Sequence, residues 1–238
     1  MQLKNRIVLV TGANRGIGKS LVEELLKRGV KKIYATARDL TQLHDFTDDR
    51  IVTVKLDITN IAQIKQVATD VDDVDLLINN AGVAAISSMI SGHMDLVKRD
   101  METNYFGTLN MVREFLPSLE QQKNSSIVNV VSIAAFVNIP ALGGYCASKA
   151  ALFSLTQGIR IELAPKGIAV HSVNPGPIDT DMAKEFDTEK TSPEDTAKGI
   201  LDGLEADIAD ISPDPGGEYM FNVWKEDYRD LEKMAAEM

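Results

Sequence analysis

Residues 7–29 read IVLVTGANRGIGKSLVEELLKRG. Ile7 to Val10 form a short apolar run, rich in β-branched residues, that stops at Thr11-Gly12. Beyond the glycines, Ile17, Leu21, Val22, Leu25 and Leu26 recur at helical spacing until Gly29, so the stretch predicts a strand, a turn and a helix. TGANRGIG, Thr11 to Gly18, then lies where backbone N–H groups and a helix dipole can receive a phosphate. Gly12 suits a tight turn, Gly16 lets backbone approach a pyrophosphate, and Gly18 permits close packing of helix on strand.

The same alternation continues outward. Lys32 to Ala37, Ile51 to Leu56, Leu76 to Asn79, Ile127 to Val131 and Ala169 to Val173 read as strands buried on both sides. Between them, helical patterns cover roughly Ile61 to Thr69, Asp95 to Leu119 in one or two pieces, Cys146 to Leu163 and Pro193 to Leu204. Parallel strands need crossovers, which are usually helical and right-handed. The expected fold is therefore α/β, a doubly wound parallel sheet in a Rossmann-type three-layer sandwich. No linker divides the 238 residues, which suit one dinucleotide-binding domain; residues 205–238 form an acidic, turn-rich tail that a short helix closes.

The composition narrows the function. Hydrophobic residues make up 44% and charged residues 25%, the balance of a globular chain. No apolar run approaches the roughly 20 residues that cross a bilayer, and the N-terminus lacks the pattern of a signal peptide. A net charge of −10 disfavours non-specific nucleic-acid binding. One cysteine, Cys146, excludes an internal disulfide and suits a cytoplasmic location; it reads as a packing residue. His44, His93 and His171 share no ligand spacing and read as surface or core residues, so no metal is expected.

The end of the second expected strand, KIYATARD, bears on the choice of dinucleotide. An acidic residue there binds the ribose 2′-hydroxyl of NAD, whereas a basic one accommodates the 2′-phosphate of NADP. Ala37 is followed by Arg38, and Arg15 extends from the glycine loop. Two guanidiniums suit a phosphate dianion, so the expected cofactor is NADP(H).

Further along stand NNAG (Asn79 to Gly82), Asn104, Ser132, YCASK (Tyr145 to Lys149) and NPGPIDT (Asn174 to Thr180), with Ser132 and Tyr145 separated by 13 positions. Together with TGANRGIG, this ordered set resembles the short-chain dehydrogenase/reductase family over about Leu3 to Leu204. The resemblance implies that Ser132 binds the substrate oxygen and that Tyr145 exchanges a proton with it. It further implies that Lys149 holds the nicotinamide ribose and lowers the tyrosine pKa, and that Asn104 holds a water of the proton relay. The cofactor-binding set it implies comprises Gly12, Asn14, Arg15, Gly16, Ile17, Gly18, Arg38, Asp57, Ile58, Asn80, Ala81, Gly82, Tyr145, Lys149, Pro175, Gly176, Ile178 and Thr180.

The residues carry this chemistry without the family. A phenol titrates near 10, and an ammonium one helical turn away favours its phenolate. A lowering of roughly two to three units, from Lys149 and the nicotinamide charge together, brings proton transfer near neutral pH. The expected activity is hydride transfer between NADP(H) and a small-molecule carbonyl or secondary alcohol, as in a carbonyl reductase or alcohol dehydrogenase. Two alternatives stand beside it: a 3-oxoacyl-carrier-protein reductase, and a non-catalytic NADP(H)-binding regulator or redox sensor.

The tail departs from the family pattern. No clean apolar strand precedes Gly216-Gly217, so the implied homo-oligomer, dimer or tetramer, loses the usual basis for a tetramer. Tyr219, Met220, Phe221, Val223 and Trp224 read as tail packing, as a border of the substrate pocket, or as a replacement for an oligomer contact. The short segment from Thr180 to Pro193 predicts a small lid over an open pocket that takes modest-sized carbonyl compounds.

Overall fold

The computed structural model describes residues 1–43 and 46–236. His44 lies outside the described residues; His93 is exposed and His171 is buried, with its Nδ1 against the Ile208 carbonyl at 2.7 Å. Seven strands form one sheet: β1 (Ile7–Thr11), β2 (Lys32–Ala37), β3 (Ile51–Lys55), β4 (Leu76–Asn79), β5 (Ser126–Val130), β6 (Ala169–Val173) and β7 (Asp210–Ile211). Their order is β3-β2-β1-β4-β5-β6-β7, and every pairing is parallel. The sequence reversal between β1 and β4 places a crevice at the C-terminal ends of the central strands, where doubly wound sheets bind ligands.

The two faces of the sheet are read directly from residue alternation. Val8 and Val10 of β1, Leu76 and Ile78 of β4, and Val128 and Val130 of β5 point to one side. There they meet Leu21, Val22 and Leu25 of α1 (Gly16–Lys27) and Ile200, Leu201 and Leu204 of α6 (Pro193–Glu205). Leu9, Leu77 and Ile127 point to the opposite side. They meet Ile64 and Val67 of α2 (Ile61–Asp70), Met111 and Phe115 of α4 (Thr108–Gln121), and Ile159 and Leu163 of α5 (Gly143–Leu163). The period of two in the strands and the period near 3.6 in the helices thus build two hydrophobic layers on one sheet.

Two expectations change and one becomes specific. β3 is not buried on both sides: it is the edge strand, and Val52 is 41% exposed. The expected Asp95 to Leu119 helix is α3 (Met94–Met101), a π-helical turn (Glu102–Gly107) and α4 in continuous succession. A seventh strand does precede the glycine pair: β7 is only two residues long and pairs with Ser172 and Val173 of β6. So short an element carries no periodicity of its own.

The tail after β7 folds as α7 (Pro215–Glu226) and α8 (Tyr228–Ala236). Trp224 packs on Phe136 with ring centroids 4.6 Å apart and on Phe221 at 5.7 Å, while Met220, Leu231 and Ala235 bury against Ile133 and Val137. The tail therefore packs on the segment that directly follows Ser132. Asp214, 5% exposed, caps α7 by accepting from Gly217 N at 2.8 Å and also accepts from Gly176 N at 3.0 Å. A Cβ on Gly176 would lie 2.7 Å from Gly217 N, so the tail sits directly against the Pro175-Gly176 turn. Asp214→Ala leaves a buried N–H group (Gly217) and a half-buried one (Gly176) without acceptors and should cost about 2–4 kcal/mol. Thermal unfolding should register this as a loss of about 5–15 °C.

Candidate active site

One cleft of about 1210 Å³ runs along the C-terminal edge of the sheet. Every residue expected to bind the cofactor lines it, as do Ser132, Tyr145 and Lys149. At one end Gly12 adopts φ 65°, and a Cβ on Gly18 would fall 2.1 Å from the Gly12 carbonyl oxygen, so the turn folds onto its own helix. Arg15, at the start of α1, makes no side-chain cap, whereas α2, α6 and α7 are capped by Asn60, Ser192 and Asp214. No acidic side chain occupies the first turn of α1. Its N–H groups and dipole are thereby left to an anion, which suits the pyrophosphate of a dinucleotide.

The loops beside the glycine turn are held by a residue that motif reading passed over. Thr11 Oγ1 accepts from Asn80 N and Ala81 N, both at 3.0 Å, while Asn80 Nδ2 donates to the Thr11 and Gly12 carbonyls. Asp57 accepts from Thr59 N and Oγ1, shaping the turn after β3 above buried Ile58. Asn14 donates to Gln42 at 2.7 Å. Arg38 is exposed on the cleft wall, and the neighbouring Asp39 accepts from Thr41 N and Oγ1.

At the other end β5 and α5 bring the chemical groups together. Ser132, two residues beyond β5, has φ 155° and ψ 158°, a backbone region that L-residues rarely adopt. Its Oγ accepts from Ala134 N at 3.1 Å and donates to the Pro175 carbonyl at the long distance of 3.5 Å, a weak contact that a substrate oxygen can replace. Tyr145 and Lys149 both lie on α5, and Lys149 Nζ donates to the carbonyl of Val130, the last residue of β5, at 2.7 Å. A polar ladder fixes α5 against the sheet: Asn79 donates to Asn129, and Asn129 donates to Thr156 of α5, both at 2.9 Å.

Asn104 does not line the cleft. Fully buried in the π-helical turn, it accepts from Val83 N and donates both amide protons, to the Val83 carbonyl and to Ser148 Oγ. Both amide protons are thereby engaged, and the side chain clamps the segment that follows Gly82 to α5. The lid is short, as expected, but it is anchored at its base and at both ends of the cleft. Asp179 N donates to Thr191 O, Asp181 pairs with Arg15 at 2.6 Å, and Phe186 packs against the cluster of Ala134, Leu142 and Cys146 on which Tyr145 and Ile139 also rest. Arg15 is thus tied to the lid in this structure rather than turned to Arg38. The lid residues Met182 and Phe186 and the tail residues Ala235 and Ala236 line the cleft without any motif to mark them.

In the chain by itself, loss of solvent dominates the electrostatics of the Tyr145–Lys149 pair. Burial pushes the Tyr145 phenol up to about 12, against the opposing effect of its hydrogen bond with Ser132. Burial pushes the Lys149 amine down to about 7, and its nitrogen stands 5.7 Å from the centre of the Tyr145 ring. An amine that titrates near neutrality supplies only part of an ammonium charge, so it cannot pull the phenol down by itself. Cys146 is buried beside them with its thiol pushed up by burial, which agrees with a packing role. Among the described residues no group of three His, Cys, Asp or Glu side chains is arranged to hold a metal.

Lys149 also sets a pH dependence of stability. Between about pH 7 and 10.5 the amine is neutral in the folded chain and protonated in the unfolded one, so its contribution to stability rises with pH across that window. Below pH 7 the destabilisation is fully present. Lys149→Met should therefore melt higher than the parent protein at pH 7 without added cofactor, and the gap should close toward pH 10. Each unit of displacement corresponds to about 1.4 kcal/mol, and thermal melts across the pH range measure it.

Comparison with known proteins places the chain. The family profile described as short chain dehydrogenase matches residues 6–191. An uncharacterised oxidoreductase of Staphylococcus saprophyticus is 32% identical over 219 residues, 86% of this chain and 93% of the relative. A 3-oxoacyl-[acyl-carrier-protein] reductase of Vibrio cholerae is 32% identical over 196 residues, 80% of each chain. A crystal structure of a short chain dehydrogenase from Burkholderia cenocepacia, in complex with NADP, superposes with a TM-score of 0.93 at 38% identity over 97% of both chains. With its parallel seven-stranded sheet, its glycine turn and its match over residues 6–191, the chain belongs to the short-chain dehydrogenase/reductase family of oxidoreductases.

Proposed function

We propose that the protein is an NADP(H)-dependent oxidoreductase that interconverts a carbonyl compound and its secondary alcohol. The observation that carries this reading is the convergence of Ser132, Tyr145 and Lys149 on one end of a cleft whose other end presents Arg38 and the uncapped N-terminus of α1. The NADP complex of the Burkholderia cenocepacia relative supports the choice of dinucleotide. The bound nicotinamide supplies the hydride donor or acceptor.

The chain's own residues handle the oxygen and the proton. Ser132 Oγ, fixed by Ala134 N, donates its proton to the substrate oxygen and stabilises developing negative charge there. Tyr145, a phenol that is protonated at neutral pH, is a proton donor to that same oxygen, which suits the direction of carbonyl reduction. Lys149, anchored on Val130 O, has further amine protons with which to hold cofactor hydroxyls, and any charge that raises its protonation also favours the phenolate needed for alcohol oxidation. Asn104 positions Val83 and Ser148 and thereby the walls on either side.

Tyr145→Phe should lower kcat for NADPH-linked ketone reduction by about 10²–10⁴-fold while NADPH affinity stays within about threefold. Residual turnover near the parent rate would refute Tyr145 as the proton donor. Arg38→Asp should raise the KM for NADPH by about 10-fold or more and lower that for NADH, since it removes a charge-assisted phosphate contact. An unchanged NADPH/NADH ratio would overturn the cofactor assignment. A second reading, reduction of 3-oxoacyl thioesters, is favoured by the Vibrio cholerae relative; it predicts that acyl thioesters outperform simple ketones in the same assay.

A further inference from the structure

We propose that the substrate end of the cleft selects neutral, apolar ketones or aldehydes and rejects carbonyl compounds of the same shape that carry a carboxylate. This inference rests on the carbonyl-reductase reading above and specifies its substrate class.

The wall around Tyr145 is made of Ala134, Ile139, Leu142 and Phe186, with Ala235 of α8 lining the cleft beyond Ile133. None of these side chains can pair with an anion. The charged residues that line the cleft are few, and most are already placed. Arg38 and Asp57 stand beside the glycine turn, where the adenosine half of a dinucleotide belongs. Arg15 is held by Asp181 at 2.6 Å. Lys149 is 4% exposed, donates to Val130 O, and stands behind Gly82, whose Cβ position is 3.6 Å from its nitrogen. The remaining ionic group is Asp187, exposed on the lid next to Phe186 and lining the cleft. Lys184 is on the same loop but does not line the cleft.

A carboxylate entering beside Tyr145 would therefore leave water for aliphatic and aromatic carbon, with no guanidinium or free ammonium to receive it. Asp187, next to Phe186 in the chain, adds a negative charge to the same cleft. Specificity built this way relies on a repulsive element as well as on the apolar wall. A branched alkyl group of equal size loses nothing on entry and gains the burial of its carbon surface.

The test compares 5-methyl-2-hexanone with 4-oxopentanoate, in which a carboxylate replaces the isopropyl group at nearly the same shape. With NADPH, the ketone should be reduced with a kcat/KM at least about 100-fold above that of the oxo acid. Asp187→Lys, a change at an exposed position, should narrow that ratio by about fivefold or more by converting repulsion into attraction. Equal kcat/KM values within about threefold, or a ratio unmoved by Asp187→Lys, would overturn the proposal. Binding of the same pair to the protein–NADPH complex, followed by NADPH fluorescence, provides a readout independent of turnover. If neither compound is reduced, the reductase reading fails; tighter binding of the ketone still supports the selectivity and equal binding refutes it.

Discussion

Every strand of the sheet runs in the same direction, and the site follows from that constraint. Parallel strands deliver all their C-terminal ends to one edge, and each crossover helix must begin or end near it. The glycine turn after β1, Arg38 after β2, Asp57 after β3, Asn80 after β4, Ser132 after β5 and Pro175 after β6 consequently share one rim, although Gly12 and Pro175 are far apart in the chain. The order β2-β1-β4-β5 then opens the crevice at the middle of that rim. The buried alternation of Val8, Leu9 and Val10 holds the sheet between its helical layers, so the geometry of the cleft rests on the packing of the core.

The chemistry is placed in a setting that works against the stability of the chain. Lys149 is buried with its amine pushed down to about 7, and Tyr145, half-buried on the cleft wall, has its phenol pushed up to about 12. Both shifts come from loss of solvent rather than from attraction between the two groups. The hydrogen bond from Lys149 to Val130 and the Asn79–Asn129–Thr156 ladder hold α5 in place despite this cost. The tail contributes in the same way: Asp214 ties α7 to the Pro175-Gly176 turn, and Met220, Leu231 and Ala235 brace the segment after Ser132.

Much of this was legible in the residues, for identifiable reasons. Long amphipathic runs such as Leu21 to Leu26, and apolar strands such as Ile7 to Val10, carry strong periodicity and mark α1 and β1 within a few residues. The site residues that announce themselves are those with unusual chemistry at fixed offsets, such as Tyr145 and Lys149. β7 was missed because two residues have no period, and the exposed face of β3 was missed because Val52 and Val54 look like core residues until the strand is known to be an edge. Thr11, Asp214, Phe186 and Ala235 are common residue types whose roles depend on partners distant in sequence.

By itself the sequence determined the alternation of strands and helices, the glycine turn at the head of α1 and the set of polar groups available for chemistry, because periodicity, glycine conformation and side-chain type are local properties. Only the tertiary structure decided the sign of the Tyr145 and Lys149 shifts, the clamping role of Asn104, the pairing of Arg15 with Asp181 and the apolar wall that α8 helps to close. Each of these depends on which distant residues meet, and for Tyr145 and Lys149 on how much water they exclude, which is set only when the layers pack.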